Sequence, residues 1–397
     1  MSISKIRFKG FHTSLERKQI GEITTSFSGG TPKSSNKSYY EGDIPFIRSG
    51  EVKSKQTELF ISDEALQNSS AKMVSQGDIL YALYGATSGE VAISQINGAI
   101  NQAILAIKPN SGYSSEFIMN YLKKEKDNIL EKYLQGGQGN LSAAIVKSIE
   151  LSLPSQEEQS AIGSLFRTLD DLLAGYKDNL ANYQSLKATM LSKMFPKDEQ
   201  TVPEIRLDGF EGEWEVVNLG TLIENYDEII SGESGFPIAT SSRKGLYLQN
   251  DYFEGGRTGI DLTLDFHRVP MGYVTYRHMS DDSIFKFNKN NFETDVLVSK
   301  EYPVFISNGS SDIDFLLYHL NNSRLFLRFS TMQKLGGTRV RLYYKNLITY
   351  KLAVPTIKEQ QAIGAYFSNL DNLINSHQEK ISQFETLKKK LLQDMFI

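Results

Sequence analysis

Several loop-like stretches of this chain combine glycine with basic and amide side chains, a composition suited to nucleic-acid contact. The first half has two of them, Gly29–Lys37 and Gln135–Asn140. Amide side chains can bond bidentately to adenine in the major groove, and arginine or lysine to guanine. Backbone amides of glycine loops can also hold phosphates. The candidate DNA contacts of the first half are Thr31, Lys33, Asn36, Lys37, Arg48, Lys53, Lys55, Gln138 and Asn140.

The second half has analogous stretches at Thr240–Gly245 and Lys334–Arg341. Each could be a plain surface turn, but their recurrence at equivalent places in both halves favours DNA contact. Arg339 and Arg341 lie two positions apart, so on a strand they would face the same side. The candidate contacts of the second half are Ser241, Ser242, Arg243, Lys244, Arg277, Lys334, Thr338, Arg339 and Arg341.

No sequence motif for catalysis or cofactor binding accompanies these candidates. The chain has no Asn-Pro-Pro-Tyr-like or Asp-Pro-Pro-Tyr-like tetrapeptide for base methylation, and no Gly-x-x-x-x-Gly-Lys-Ser/Thr loop for ATP. Its five histidines lie at no metal-ligand spacing. We interpret them as surface or packing residues, with contact of His278 with DNA, beside Arg277, as an alternative. We therefore expect no catalytic residue and no metal or cofactor on this chain.

The composition limits the partners and the compartment. The 397 residues have a formal net charge of −4, which counts against binding by bulk phosphate attraction. That charge is compatible with a chain that reads base edges while a partner supplies positive surface. The absence of cysteine fits a reducing cytoplasm. Met1–Gly10 lacks the apolar segment of a signal peptide, and no stretch approaches the roughly 18 unbroken apolar residues of a membrane span.

The chain contains an internal duplication. Pro154–Phe195 aligns without gaps to Pro355–Phe396, 201 positions later, and Ile6–Phe11 matches Ile205–Phe210, 199 positions later. Between these segments the halves diverge, apart from the glycine pairs at 136–137 and 336–337. Each half therefore consists of a short arm, a variable domain and a shared segment. The shared segments perform one task twice, and the variable domains perform two different tasks.

The repeated segments are predicted to be long helices that pair with each other. Their apolar residues follow a strict 4-3 spacing, which is typical of a coiled-coil seam. Lys187 and Lys388 occupy the same seam position, as if register were specified there. Antiparallel pairing would bury both seams and return the end of the second helix to the first domain, whereas two unrelated amphipathic helices would leave the shared register unexplained. The pairing residues are Ile162, Phe166, Leu169, Leu173, Leu180, Ile363, Phe367, Leu370, Ile374 and Ile381.

Both variable domains are predicted to be mixed α/β structures with short strands. Strand-like runs are bounded by turn residues, and no βαβ alternation predicts a doubly wound parallel sheet. One helix is expected over Phe117–Lys132 and its counterpart over Phe315–Phe329. The expected strands are Ile44–Ile47, Gly77–Ala82, Ile104–Ile107, Tyr273–Tyr276, Val296–Val298 and Val304–Ile306. The expected boundaries are 1–153 for the first arm and domain, 154–198 for the central helix, 199–354 for the second arm and domain, and 355–397 for the last helix.

These residues resemble the specificity subunits of type I restriction-modification systems. Leu153–Ile162 and Val354–Ile363 each have the proline, Glu-Gln and isoleucine pattern that opens the conserved helices of that family. Pro203–Phe210, with Trp214-Glu215 after it, resembles the segment that precedes a target-recognition domain. Gly30-Thr31-Pro32 with Gly42–Ile47 is typical of the start of such a domain. The second domain departs from this pattern, since Phe236–Thr240 replaces the glycine-threonine-proline loop.

The resemblance implies an α+β fold with two target-recognition domains, two long antiparallel coiled-coil helices and a pseudo-twofold duplication. Each domain would read one half of a bipartite target in double-stranded DNA, and the helices would set the spacer and dock two methyltransferase subunits. S-adenosylmethionine would be bound by those partners, and ATP and Mg²⁺ by separate motor-nuclease restriction subunits. Two alternatives remain: a coiled-coil scaffold whose variable domains bind protein, and a nuclease or methyltransferase with an unfamiliar site.

Overall fold

The computed structural model describes residues 6–134, 140–198, 200–249, 260–334 and 339–396, and its contacts divide the chain into two units. Unit 1 combines the chain up to Asp178 with a return segment that begins at Glu379, and unit 2 runs from Asn179 to Gln378. The candidates Gln138 and Thr338 and both glycine pairs lie outside the described residues. The predicted boundaries follow chain segments, whereas the units follow packing, so each unit contains part of both repeated segments.

The sheets of unit 1 are built from short strands. The orders are β2-β9-β6-β7, β4-β3-β8-β5 and β1-β10, and only the β3–β8 pair is parallel among the described strands of the chain. The strands are β1 (Glu16–Gln19), β2 (Thr24–Ser28), β3 (Ile44–Ile47), β4 (Phe60–Ile61), β5 (Lys72–Val74), β6 (Ile79–Ala82), β7 (Val91–Ile93), β8 (Gly98–Ile100), β9 (Ile104–Pro109) and β10 (Glu150–Leu153).

The central strand β6 is apolar at every position because both of its faces are covered. Ile79 and Tyr81 point into a core shared with the helices, and Leu80 and Ala82 point into a second core on the opposite face. Successive side chains of a strand point to opposite faces. Because both faces of β6 are buried, the strand has no polar residue. The helices of unit 1 outside the repeated segments are α1 (Ile20–Ile23), α2 (Asp63–Gln67), α3 (Ser115–Lys124), α4 (Lys126–Leu134) and α5 (Ala143–Lys147).

Unit 2 repeats this plan with different sequence. Its sheets have the orders β12-β21-β17-β19, β13-β16-β20, β14-β15, β18-β22 and β11-β23. The strands are β11 (Glu215–Asn218), β12 (Ile223–Tyr226), β13 (Ile229–Ser231), β14 (Ala239–Ser242), β15 (Gly245–Leu248), β16 (Asp265–Val269), β17 (Val274–Tyr276), β18 (Met279–Ser280), β19 (Phe287–Lys289), β20 (Val296–Ser299), β21 (Val304–Ser307), β22 (Val340–Arg341) and β23 (Lys351–Val354). The pair β11–β23 corresponds to β1–β10, and the four-stranded sheet of unit 2 corresponds to β2-β9-β6-β7.

The prediction of one continuous helix in each variable domain is wrong. In unit 1 the chain breaks at Glu125, between α3 and α4. In unit 2 the sequence has α7 (Ile313–Asn322), α8 (Arg324–Met332) and the short α9 (Tyr344–Leu347). Ser323 separates the first two, because its side-chain oxygen accepts hydrogen bonds from the backbone N–H groups of Leu325 and Phe326 and so caps α8.

The repeated segments are long helices, as predicted. They are α6 (Gln156–Lys193) and α10 (Ile357–Met395). In unit 1, Phe166 packs against Phe396 at 5.8 Å between ring centroids, and Tyr176 packs against Phe384 at 5.6 Å. In unit 2, Tyr183 lies 5.2 Å from His377, and Phe195 lies 6.1 Å from Phe367. Within each unit, partner numbers fall along one segment as they rise along the other, so the pairing is antiparallel.

Most of the predicted seam residues are buried. Leu180 in unit 2 and Ile381 in unit 1 are only half-buried. The two seam lysines form ion pairs at equivalent positions: Lys187 with Asp371 in unit 2, and Lys388 with Asp170 in unit 1. The remaining seam residues are buried: Ile162, Phe166, Leu169, Leu173, Ile363, Phe367, Leu370 and Ile374.

The Glu-Gln pair that opens each long helix joins three parts of its unit. Glu158, which is 1% exposed, accepts a hydrogen bond from Arg7 Nε at 2.8 Å, and Glu359 accepts the equivalent bond from Arg206 Nε at 2.7 Å. The neighbouring Gln159 accepts a hydrogen bond from the backbone N–H of Ser114, the residue that caps α3. The Glu-Gln pair thus fixes both the arm and α3 of the variable domain to the start of the long helix in unit 1.

The end of the second helix lies beside the first arm, as antiparallel pairing predicts. In unit 1 the backbone N–H of Ile6 donates to the carbonyl of Asp394 at 3.1 Å. In unit 2 the equivalent bond runs from Ile205 to the carbonyl of Lys193 at 3.0 Å. The arm therefore contacts the end of a long helix in the same way in both units, although only in unit 2 are the two parts adjacent in sequence.

Candidate nucleic-acid interface

Two predicted DNA contacts occupy equivalent places in the two units. Asn140 forms an antiparallel bridge with Tyr84, which follows β6. Arg341 pairs with Met279, which follows the corresponding strand β17. The next residue also matches: Leu141 N–H donates to the carbonyl of Leu83, and Leu342 N–H donates to that of His278. Each unit therefore presents one polar side chain from the same structural position, an amide in unit 1 and a guanidinium in unit 2.

In unit 2 the structure brings together candidates that are far apart in sequence. Residues from β14, the turn after it and the end of β17 line one cavity of about 340 Å³, including Ser242, Arg243, Lys244 and Arg277. We call this cavity the first cavity. Asp281 also lines it, and Arg339 Nε donates to Asp281 at 2.8 Å. The first cavity and this ion pair therefore bring together residues between positions 240 and 339 of the sequence.

The side chains at this interface are held in fixed positions by ion pairs. Arg243 binds Asp282 with its guanidinium, and this hydrogen bond is the main reason that the pKa of Asp282 falls to about 2. Arg339 and Arg341 are both exposed on either side of the buried Val340, which agrees with the predicted same-side placement. Arg277 and Arg341 have no carboxylate partner among the described residues, so both guanidinium groups are available for an anionic or base-edge partner.

Ser241 lines the first cavity, but little of its side chain is accessible. It is 2% exposed, and its hydroxyl oxygen accepts a hydrogen bond from Asn288 Nδ2 at 2.8 Å. In β14, Ala239 and Ser241 face inward and Thr240 and Ser242 face outward. The run of small polar residues hides that alternation in the sequence. His278, the alternative DNA contact, is also buried and stacks on Tyr343. Lys334 is exposed at the end of the described segment after α8.

In unit 1 the candidates lie on several separate segments. Thr31 donates to Gln102 Oε1 at 2.6 Å, and Asn36 accepts a hydrogen bond from Ser38. Lys53 forms an ion pair with Glu90, which also binds Lys126. The exposed lysines without a carboxylate partner in the described parts of unit 1 include Lys33, Lys37 and Lys55.

Arg48 has a structural partner that reduces its availability. Its guanidinium binds Glu51 at 3.1 Å and Glu58 at 2.6 Å. Burial works against ionisation of Glu51, but hydrogen bonds from Arg48 and from two backbone N–H groups outweigh it and lower the pKa of Glu51 to about 2. The arginine therefore organises the turn after β3, and DNA contact by Arg48 stays a prediction.

Several residues of this surface are not among the candidates predicted from the sequence. Tyr84 is exposed on the loop after β6, and the next residue, Gly85, has a φ of +74° that favours glycine. Lys286 and Ile284 line the first cavity beside the predicted arginines. The signal for Tyr84 was its place just after a wholly apolar strand, as Met279 follows β17. Nothing in the local sequence indicated Lys286, since its neighbours in the cavity come from other segments.

The fold and this surface define a protein with two variable recognition domains on paired helices. The model for the type I restriction modification DNA specificity domain matches residues 14–182 and 236–386, so the chain belongs to that family. It is 21% identical over 398 residues to the type I restriction enzyme MjaVIII specificity subunit of Methanocaldococcus jannaschii, covering 94% of this chain and 90% of that one. It is 24% identical over 200 residues to the EcoR124I/EcoR124II specificity subunit of Escherichia coli, covering 47% and 50%.

A solved structure shares the fold along the whole chain. The S subunit of a type I restriction-modification system from M. genitalium superposes with a TM-score of 0.64 at 14% sequence identity, covering 100% of this chain and 99% of that one. Family membership makes this chain a specificity subunit, whose function is to recognise a DNA target sequence. Among the described residues, no helix is both long and apolar enough to cross a membrane.

Proposed function

We propose that each variable domain reads one half of a bipartite DNA target, with Asn140 and Arg341 as the corresponding base-reading side chains. The observation that carries the proposal is their shared position. Asn140 is bridged to Tyr84, shortly after β6, and Arg341 is bridged to Met279, shortly after β17. An amide suits adenine and a guanidinium suits guanine in the major groove. One scaffold position filled by two different side chains would allow the two half-sites to differ.

The supporting candidates divide by chemistry. Arg243, Arg277 and Arg339 adjoin Arg341 and would position or extend base contact in unit 2. In unit 1, Thr31, Asn36 and the exposed lysines would contact the duplex around Asn140. Phosphate contacts fix the protein on the duplex and base contacts select the sequence. The proposal assigns these residues no step in bond making or breaking.

The proposal extends to the enzyme complex. The paired helices would set the distance between half-sites and dock two methyltransferase subunits, and restriction subunits would join that assembly. S-adenosylmethionine would be bound by the methyltransferase partners, and ATP and Mg²⁺ by the motor-nuclease partners. The net charge of −4 supports this division, because the remaining positive surface for DNA would come from the partners.

Exchange of one domain tests whether the halves read independently. Replacing Gly21–Leu153 with the equivalent domain of another specificity subunit should change one half-site completely, while the other half-site and the spacer persist. Because β1–β10 pairs through backbone groups, the graft joins at a place tolerant of sequence. Methylome sequencing of the host gives the recognised sequence directly. A change in both half-sites at once would show that the domains do not act separately.

Substitution of Arg341 by alanine tests the base contact. A bidentate arginine–guanine pair discriminates by about 1–3 kcal/mol, so affinity should fall by that amount and one base position of a single half-site should relax. Competition binding with single-base target variants measures both effects. Asn140→Ala is the matched control, since it should relax one position in the other half-site. An equal loss of affinity for all sequences would make Arg341 a phosphate contact instead.

A further inference from the structure

Unit 2 has a second cavity beside the first one, and its wall is rich in lysine. This second cavity has a volume of about 510 Å³ and is lined by Lys187, Lys244, Lys286 and Lys289 together with Asp314 and Asp371. Lys244 and Lys286 line both cavities, so they form the wall between them. Such an excess of cations is a local exception in a chain whose net charge is −4.

The two carboxylates of the second cavity already have partners. Asp314 accepts hydrogen bonds from Lys289 Nζ at 2.8 and 2.9 Å, and Asp371 binds Lys187 and accepts a hydrogen bond from the Tyr318 hydroxyl at 2.8 Å. Lys244 and Lys286 have no carboxylate partner among the described residues. The lysines of the second cavity without a direct carboxylate partner therefore lie on the wall that it shares with the first, where only the nearby Asp371 offsets the charge of Lys286 in part.

Lys286 is held in a setting that disfavours its charge. Its side chain is half-buried, and burial, with a smaller contribution from the nearby Lys187, lowers the pKa of Lys286. Removing an ammonium group from water costs free energy unless an anion compensates it. An anionic ligand that contacts Lys286 would remove that cost and bind more strongly than at an exposed lysine.

We propose that Lys286 and Lys244 bind phosphates of the DNA backbone where the duplex passes from the first cavity to the second. The inference rests on the proposed function, because Arg341 pairs with Met279, which lines the first cavity, so a base read by Arg341 would bring the duplex to this wall. Phosphate is the group that fits two unpaired lysines, since a point-like ammonium binds it without a fixed geometry. These contacts would anchor the half-site read by unit 2 and carry no sequence information of their own.

The salt dependence of DNA binding tests this assignment. The full chain, purified with the methyltransferase subunit of its host, is titrated with target DNA over a range of salt concentrations. Each phosphate contact contributes about 0.9 to the slope of log K against log salt. Lys286→Met should therefore reduce the slope by about 0.9, and Lys244→Met with Lys286→Met by about 1.8, with the preference for the target over single-base variants unchanged. Lys286→Arg should retain the wild-type slope.

Matched variants and a small anion separate the possible outcomes. Lys351→Met removes an exposed lysine that lines neither cavity and should leave the slope unchanged. A wild-type slope in Lys286→Met would overturn the inference while the target preference still supports the proposed function. Saturable binding of inorganic pyrophosphate, lost in Lys286→Met without a change in the DNA slope, would also overturn it. Absence of any target preference in the wild-type complex would instead sink the proposed function.

Discussion

Replacing Arg206 by alanine is expected to lower the unfolding free energy of unit 2 by about 3–5 kcal/mol. The guanidinium binds both oxygens of Glu359 at 2.7 Å and also donates to the backbone carbonyls of Gly212 and Glu211. Glu359 is 1% exposed, so the substitution leaves a buried carboxylate without its partner, which is among the most costly single changes. Urea unfolding monitored by fluorescence measures the loss, because Trp214 is the only tryptophan and is buried in unit 2.

Two further variants isolate the cause of that loss. Arg328 forms an exposed ion pair with Asp198, and Arg328→Ala should cost less than about 1 kcal/mol. Arg206→Met combined with Glu359→Met removes both charges and should recover most of the stability lost by the single substitution. If the double variant is as unstable as Arg206→Ala, the arginine acts through the packing of the arm and not through the buried carboxylate.

Adding one heptad to each long helix is expected to lengthen the unspecified spacer of the DNA target by about three base pairs. Seven residues extend a helix by about 10 Å at 1.5 Å per residue, and one base pair spans about 3.4 Å. The insertions belong after Asn182 and after His377, because the contact of Tyr183 with His377 places these points at one level of the antiparallel pair. Methylome sequencing reads the spacer, and both half-sites should remain unchanged.

Insertions that do not keep the heptad repeat in register are the control for this experiment. Insertions of three residues at the same two points break the 4-3 repeat, so they should displace the seam and weaken the pairing. The ion pairs of Lys187 with Asp371 and of Lys388 with Asp170 lie on either side of the insertion points in sequence and report whether each end of the pair is preserved. An unaltered spacer in a stable and active heptad variant would exclude the helices as the element that sets the spacing.

The long helices could be predicted from the sequence because two independent signals agree there. The 4-3 spacing gives the seam, and the ungapped repeat shows that both copies use it. The ion pairs at Lys187 and Lys388 follow from the same comparison, since Asp170 and Asp371 are also matched residues. The pairing of Arg7 with Glu158 could have been inferred likewise, because both residues recur in the second half. Duplication within one chain thus substitutes in part for a family alignment.

The surface of the variable domains could be predicted only in part. The basic and amide candidates were visible as residue types, but a loop sequence does not state which other loop it meets. Arg243 and Arg341 are almost 100 positions apart and become neighbours only through β17 and the residues after it. The inward direction of Ser241 was hidden because neighbouring residues have similar polarity. Long-range packing decides these features, and a single sequence carries little of that information.

The order of synthesis gives the discontinuity of unit 1 a further consequence. Phe117 and Phe166 are wholly buried, and part of what covers them is Phe396, which is translated more than 200 residues after Asp178. At about 5–20 residues per second, the roughly 200 residues between Asp178 and Glu379 take on the order of 10–40 s to translate. During this interval unit 1 lacks the segment that begins at Glu379, so its apolar groove is open. All residues of unit 2 are translated before unit 1 has that segment. A nonsense mutation between the codons of Glu379 and Phe396 would therefore damage unit 1, most of which is synthesised before unit 2.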